Sequence, residues 1–184
     1  MRRIAHTAGQ QGMTLVEIMI SLTVLGILIL MGLPSFGEFL QNQQLRAATE
    51  ALINGMQVAR GEAIKRNLAV QVSVGPGTGW TVTEAVTALP VQARSKNEGS
   101  PNAVVAITPA GATKVTFTPL GGVTANLDGS ATITQLDITN PAGGACQTAS
   151  GPMRCLRVTI SGGGSLKMCD PKVPVTTPPD PRAC

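Results

Sequence analysis

Tyrosine is absent from this sequence of 184 residues, tryptophan occurs once and phenylalanine three times. Histidine occurs once, at His6, and no cysteine precedes Cys146. There is no Ser, Lys or carboxylate pair in a recognisable catalytic spacing, so the sequence offers no enzyme constellation. A zinc site is equally unsupported, because no two cysteines stand close together and the one histidine lies in a basic N-terminal stretch. No metal, other cofactor or small-molecule substrate is implied. Gly75-Pro76-Gly77-Thr78-Gly79 superficially resembles a phosphate loop, but the lysine and helix that should follow are missing, and the stretch reads as a hairpin turn.

What is present points elsewhere. The 21 glycines and 13 prolines, with so few aromatics, favour a loop-rich β head over a dense helical bundle. The length suits one modest domain plus an anchor. Arg2 and Arg3 supply two charges of the formal net +4, and basic residues ahead of an apolar run hold an N-terminus on the cytoplasmic side. All four cysteines, Cys146, Cys155, Cys169 and Cys184, fall in the last quarter, and an even set beyond a membrane segment reads as disulfides in an oxidising compartment. Of the three connectivities, Cys146 with Cys155 and Cys169 with Cys184 is favoured, since each closes a short loop containing Gly or Pro.

Met13 to Leu33 is long and apolar enough to cross a membrane, yet it contains Glu17. A carboxylate in hydrocarbon costs about 2.5–3.5 kcal/mol on insertion scales, so it calls for a partner or a function unless it snorkels to the interface. The glycine, Gly12, precedes the apolar run, where a secretory signal would place small residues after it. Cleavage after Gly12 would keep the anchor. Gly26, Gly32 and Pro34 each weaken a helix.

From Ser35 to about Asn67, Leu45, Ala48, Leu52, Met56, Ala59 and Ala63 recur at spacings of three and four, the stripe of an amphipathic helix. Glu62 and Arg66 form an i,i+4 pair, and Lys65 and Arg66 suit the C-terminal end of the helix dipole. Beyond Asn67 the period becomes two, predicting short strands over Ala69–Val74, Trp80–Thr83, Val104–Ile107, Lys114–Thr118, Ala131–Thr134 and Leu156–Ile160. Residues from about Ala88 to Asn102 read as an exposed loop. Five prolines lie between Pro171 and Cys184, predicting an extended, polyproline-like tail that Cys184 staples back to the head.

Gly12-Met13-Thr14-Leu15-Val16-Glu17 resembles the prepilin processing motif of type IV pilins and type II secretion pseudopilins. The resemblance implies that a membrane prepilin peptidase cuts between Gly12 and Met13 and methylates the new amino terminus. Met13 departs from the phenylalanine more often found there. It further implies that Glu17, the fifth mature residue, pairs with the amino group of Met13 on a neighbouring subunit, and that the helix loosens between Gly26 and Pro34 in the fibre. Pairing of that kind would relieve the burial cost and select a specific stagger between subunits.

The whole mature chain resembles the GspH/FimT family of minor pilins and pseudopilins. Leu45 to Leu52 leading to Ala59 through Asn67 resembles the family's second helical half, and Arg154-Cys155-Leu156-Arg157-Val158 with Gly164 and Met168-Cys169-Asp170-Pro171 resembles the cysteine-bearing end of FimT and FimU type pilins. The fold implied is α+β, a long N-terminal helix on an antiparallel β head. The organisation implied is a leader over residues 1–12, an anchor over 13–34 and a periplasmic head over 35–184, with helix to 67, β-sheet from 68 to 170 and tail from 171. The partners implied are other pilins, the prepilin peptidase and the inner membrane, with the head later exposed on an extracellular fibre. The role expected is a minor pilin for assembly, motility or adhesion. Alternatives are a type II secretion pseudopilin H and a DNA-uptake pilin. Family members that bind DNA do so through Gly-Arg-x-Arg, matched here by Gly164-Ser165-Leu166-Lys167. Lysine is a point charge where arginine is a fork, so the expectation is weak DNA contact through Arg157, Lys167 and Lys172.

Overall fold

The computed structural model describes residues 12–75 and 77–184. Arg2, Arg3 and His6 lie outside the described residues. The chain divides into two compact units, Met1–Phe36 and Gly37–Cys184.

One helix, α1 (Leu15–Arg66), begins in the first unit and continues into the second. In the first unit its large apolar side chains are exposed throughout, because apolar residues surround the helix instead of lying on one face. Within the head the stripe expected from the sequence becomes the core: Leu45, Ala48, Leu52, Met56, Ala59 and Ala63 are buried. Each large member removed from water contributes about 1.5–3 kcal/mol. Asn67 ends α1 in the left-handed region at φ 53°. The Leu68 N–H reaches the Ala63 carbonyl at 3.3 Å and the Asn67 N–H that of Ile64 at 3.4 Å, which satisfies carbonyls a helix end would leave open. Arg66 bonds Glu62 at 2.6 Å and also Glu84 at 2.9 Å.

Among the described residues nine strands follow: β1 (Val70–Val74), β2 (Trp80–Glu84), β3 (Pro90–Arg94), β4 (Val104–Thr108), β5 (Lys114–Phe117), β6 (Val123–Thr124), β7 (Gln135–Thr139), β8 (Leu156–Ile160) and β9 (Leu166–Cys169). They form two antiparallel sheets, A in the order β3-β2-β1-β5-β6 and B in the order β4-β7-β8-β9. Val70, Val72, Val82, Val115, Phe117, Leu136, Ile138 and Val158 join the helical stripe in one core. The approach is close at Gly55, where an added Cβ would lie 2.7 Å from the Trp80 ring. Gly75 and Gly79 close the β1–β2 connection with a 2.9 Å backbone bond.

Three expectations need correction. Residues 88–102 are not wholly a loop, since β3 pairs with β2 at the edge of sheet A; it is mostly exposed, so alternation was weak. Ala131–Thr134 is not a strand but a crossover. Ile133 bonds Lys114 in sheet A while Thr134 bonds Thr108 beside sheet B, and the buried phase shifts from Ile133 to Leu136 and Ile138. The tail is not one extended run, because Asp170 and Asp180 accept the amides of Lys172 and Arg182 at 2.9 and 2.8 Å and turn the chain.

Candidate functional site

The residues expected to take part in processing and assembly, Gly12, Met13 and Glu17, lie at or just before the start of α1. Gly12 and Met13 are exposed, and Thr14 caps the helix: its hydroxyl accepts the Glu17 N–H at 3.3 Å. Thr14 to Glu17 has the spacing of a capping box, a local signal that reading Glu17 only through its neighbours missed. Glu17 is thus in the first turn, where helix N–H groups favour a negative charge, and its side chain is exposed. The Ser21 hydroxyl donates to the Glu17 carbonyl at 2.7 Å, and that of Thr23 to the Met19 carbonyl at 2.7 Å, so these two hydroxyls are satisfied inside the helix. In the single chain α1 passes unbroken through Gly26, Gly32 and Pro34.

The disulfides join Cys146 to Cys155, Cα atoms 5.5 Å apart, and Cys169 to Cys184, 5.1 Å apart. The second holds the tail on β9. Asp170 N–H donates to the Arg182 carbonyl at 2.8 Å, and Arg154 pairs with the buried Asp170 at 2.7 Å.

Of the basic residues singled out, Arg157 and Lys167 share one face of sheet B, since Arg157 is opposite Cys169 and Lys167 is opposite Thr159. Both are engaged. Arg157 Nε donates to Asp137 Oδ1 at 2.6 Å, an oxygen neighbour of which accepts from Gln135, while Lys167 Nζ donates to the Ala183 carbonyl at 2.8 Å. Lys172 is exposed on the tail and is not brought together with them by strand pairing. Gly164 has a different task. At φ +76° an added Cβ would sit 2.0 Å from the Gly121 carbonyl oxygen, so the β8–β9 turn meets the β5–β6 turn through bare backbone. Arg60 of α1 donates to that same oxygen at 3.0 Å, and Val123 N–H to Gly162 at 2.8 Å. Helix and both sheets meet here, a junction with no sequence signal.

Some carboxylates of the head have their pKa lowered by hydrogen-bonding partners. The Thr87 hydroxyl, and then Arg66, lower the pKa of Glu84; Lys114 and Ser130 hold Asp128 well below the usual range; Arg182 pulls Asp180 down to about 2. Among the described residues no cluster of His, Cys, Asp and Glu is placed to hold a metal.

Comparison with known proteins agrees with this geometry. Residues 48–164 match the family of the type II transport protein GspH, and residues 7–33 match the prokaryotic N-terminal methylation motif. A crystal structure of the type IV minor pilin FimU of Pseudomonas aeruginosa PAO1 is similar over 71% of this chain and 91% of that one, at 17% identity and a TM-score of 0.51. A second crystal form of FimU gives 67% and 90% coverage at 17% identity, with a TM-score of 0.48. The first likeness shows a shared fold. With the matched span covering more than half of its length, the chain belongs to the GspH family and carries the N-terminal methylation motif.

Proposed function

We propose that the protein is a minor type IV pilin, held in the inner membrane by the helix after Gly12 and then built into, or onto the tip of, a pilus. The observation that carries this reading is the conjunction of an unburied apolar helix, opened by Gly12-Met13 and Glu17, with a head of FimU-like fold. Gly12 presents no side chain to a peptidase subsite, and the exposed apolar surface of α1 suits lipid first and neighbouring pilin helices afterwards. Glu17 would pair with the methylated amine of a neighbour's Met13. Gly26 and Pro34 are where α1 would loosen in the fibre.

Intact-mass measurement of membrane-extracted protein, from a host with the peptidase, should lack Met1 to Gly12 and carry one methyl group. A retained leader would overturn the assignment. The name of the matched family, a type II transport protein, favours a second reading as a secretion pseudopilin. Deleting the gene separates the two: the first reading expects loss of surface pili with secretion intact, and the second the reverse.

A further inference from the structure

Val74, Trp80 and Arg94 lie side by side on β1, β2 and β3, since Trp80 is opposite Val74 in one pairing and opposite Arg94 in the other. Their side chains therefore leave the same face of sheet A. Together with Gly75, Gly79 and Lys96 they line an open cavity of about 480 Å3. Its wall is close-fitting: a Cβ added at Gly79 would lie 3.2 Å from the Arg94 carbonyl oxygen and from the Lys96 nitrogen, and one at Gly77, where φ is +73°, would lie 3.1 Å from Lys96 Cδ. The β1–β2 connection thus rests on the chain between Arg94 and Lys96 and on the Lys96 stem.

The polar side chains around this cavity are one-sided in their chemistry. Trp80 is 2% exposed, and its ring lies flat on α1, with Cδ2 and Cε2 each 2.7 Å from a Cβ added at Gly55, which leaves the N–H edge directed sideways. No acceptor reaches Trp80 Nε1, and none reaches the buried Nη1 of Arg94. Arg94 Nη2 donates to the Glu98 carbonyl, so one arm of the guanidinium is anchored and the other is unpaired. Among the described residues neither Arg94 nor Lys96 forms an ion pair, and the nearby Glu98 carboxylate accepts the Ser95 amide at 3.0 Å. Indole, guanidinium and ammonium groups are donors with no acceptor capacity, and a buried donor left without an acceptor is destabilising. A water molecule could accept from two of them and would leave both charges unbalanced.

We infer that this cavity is a binding site for a small oxyanion of the phosphate class, held by Trp80 Nε1, Arg94 Nη1 and the Lys96 ammonium. Charge-assisted bonds from Arg94 and Lys96 supply the affinity, and the indole N–H, fixed by its packing on Gly55, sets the orientation. Donors carried by β2, by β3 and by the chain after β3 suit a tetrahedral ion with oxygens on several sides better than a planar carboxylate with two. The cavity is open, so it admits either the free ion or a phosphomonoester.

Trp80 is the one tryptophan of a chain without tyrosine, so the intrinsic fluorescence of the full-length protein in non-ionic detergent reports on this cavity. Titration with inorganic phosphate at constant ionic strength should change that emission saturably. A matching response to glycerol phosphate identifies a phosphomonoester as ligand, a response to inorganic phosphate alone identifies the free ion, and both support the site. Arg94→Gln should weaken the affinity by more than about tenfold and Lys96→Gln by about threefold, while Arg94→Lys, which keeps the charge and loses the fork, should fall between them. Thermal melts in the absence of phosphate check that each variant is folded; if Arg94→Gln is not, Arg94→Lys and Lys96→Gln, whose side chain is exposed, carry the test. No saturable response to phosphate, an equal response to acetate or potassium chloride, or an affinity unchanged in the folded variants would overturn the inference.

Discussion

One helix serves two surroundings. In the first unit Leu22, Leu25 and Ile29 of α1 are 62%, 52% and 49% exposed, whereas in the head Leu45, Leu52 and Met56 are at 0–1%. Both segments are rich in apolar residues, and only the distribution differs: all round the helix in the first, on one stripe in the second. A stripe is solved by the chain's own strands. An all-round apolar helix of about 20 residues matches a bilayer of roughly 30 Å and is completed by molecules outside the chain. Stability of the fold should thus reside in the head and assembly in the first unit, a division that substitutions can break or sharpen.

The largest effect is expected from Glu17→Ala. Removing a charge from hydrocarbon leaves insertion intact or better, but fibre incorporation should fall by more than about tenfold if the carboxylate pairs with a neighbour's amine. Immunoblots of sheared pili against membrane fractions measure both quantities. Incorporation at the wild-type level would leave Glu17 with only its place in the capped first turn.

A matched pair of core and anchor changes comes next. Leu52→Ala should destabilise the head by about 2–5 kcal/mol, because the buried side chain leaves a cavity in the core. Leu25→Ala, the same change on the exposed run, should leave the melting of the head unaltered and act on fibre yield alone. Thermal melts of detergent-solubilised protein would show whether the division holds, and a head destabilised by Leu25→Ala would break it.

The same contrast governs what the sequence made legible. The stripe from Leu45 to Ala63 and the run from Met13 to Leu33 were readable because helical period and composition are local. So were β1, β2, β4 and β8, in which more and less buried residues alternate, and β5, in which apolar and polar residues alternate although Thr116 is buried too. The edge strand β3 was not, since it has little buried surface to pattern. Nor was β7, because the chain changes sheets just before it and Asp137 occupies its middle, held there by Arg157 on β8. Gly164 was read as part of a binding motif, yet its place is fixed by the Gly121 carbonyl of a different turn. Contacts between distant segments leave no period to read.

A smaller loss is expected from unpinning the tail. Cys169 and Cys184 enclose a separation of 15 residues, for which the chain-entropy model gives about 3 kcal/mol. The double variant Cys169→Ser with Cys184→Ser should lower head stability by up to that amount in denaturant melts. It should leave leader processing unchanged, since the peptidase acts in the first unit. An equal loss of processing would mean that the two units are not separable in function.

The smallest effect concerns DNA and the face of sheet B. Lys167 spends its ammonium on the Ala183 carbonyl and Arg157 its Nε on Asp137, so neither is poised to grip a phosphate, while Lys172 projects from the tail as a solvated charge. Any attraction to duplex DNA would then come from diffuse positive charge. It should be weak, indifferent to sequence and steeply reduced by salt, because its free energy comes from released counterions. Lys167→Ala should cost no more than Lys172→Ala, each by less than about threefold in affinity, and the two losses should shrink together as salt rises. Mobility shifts of the detergent-solubilised variants at two salt concentrations measure this. Tight binding abolished by Lys167→Ala alone would mean that the tail releases Lys167 to the ligand, which would make sheet B a recognition surface and the DNA-uptake reading the better one.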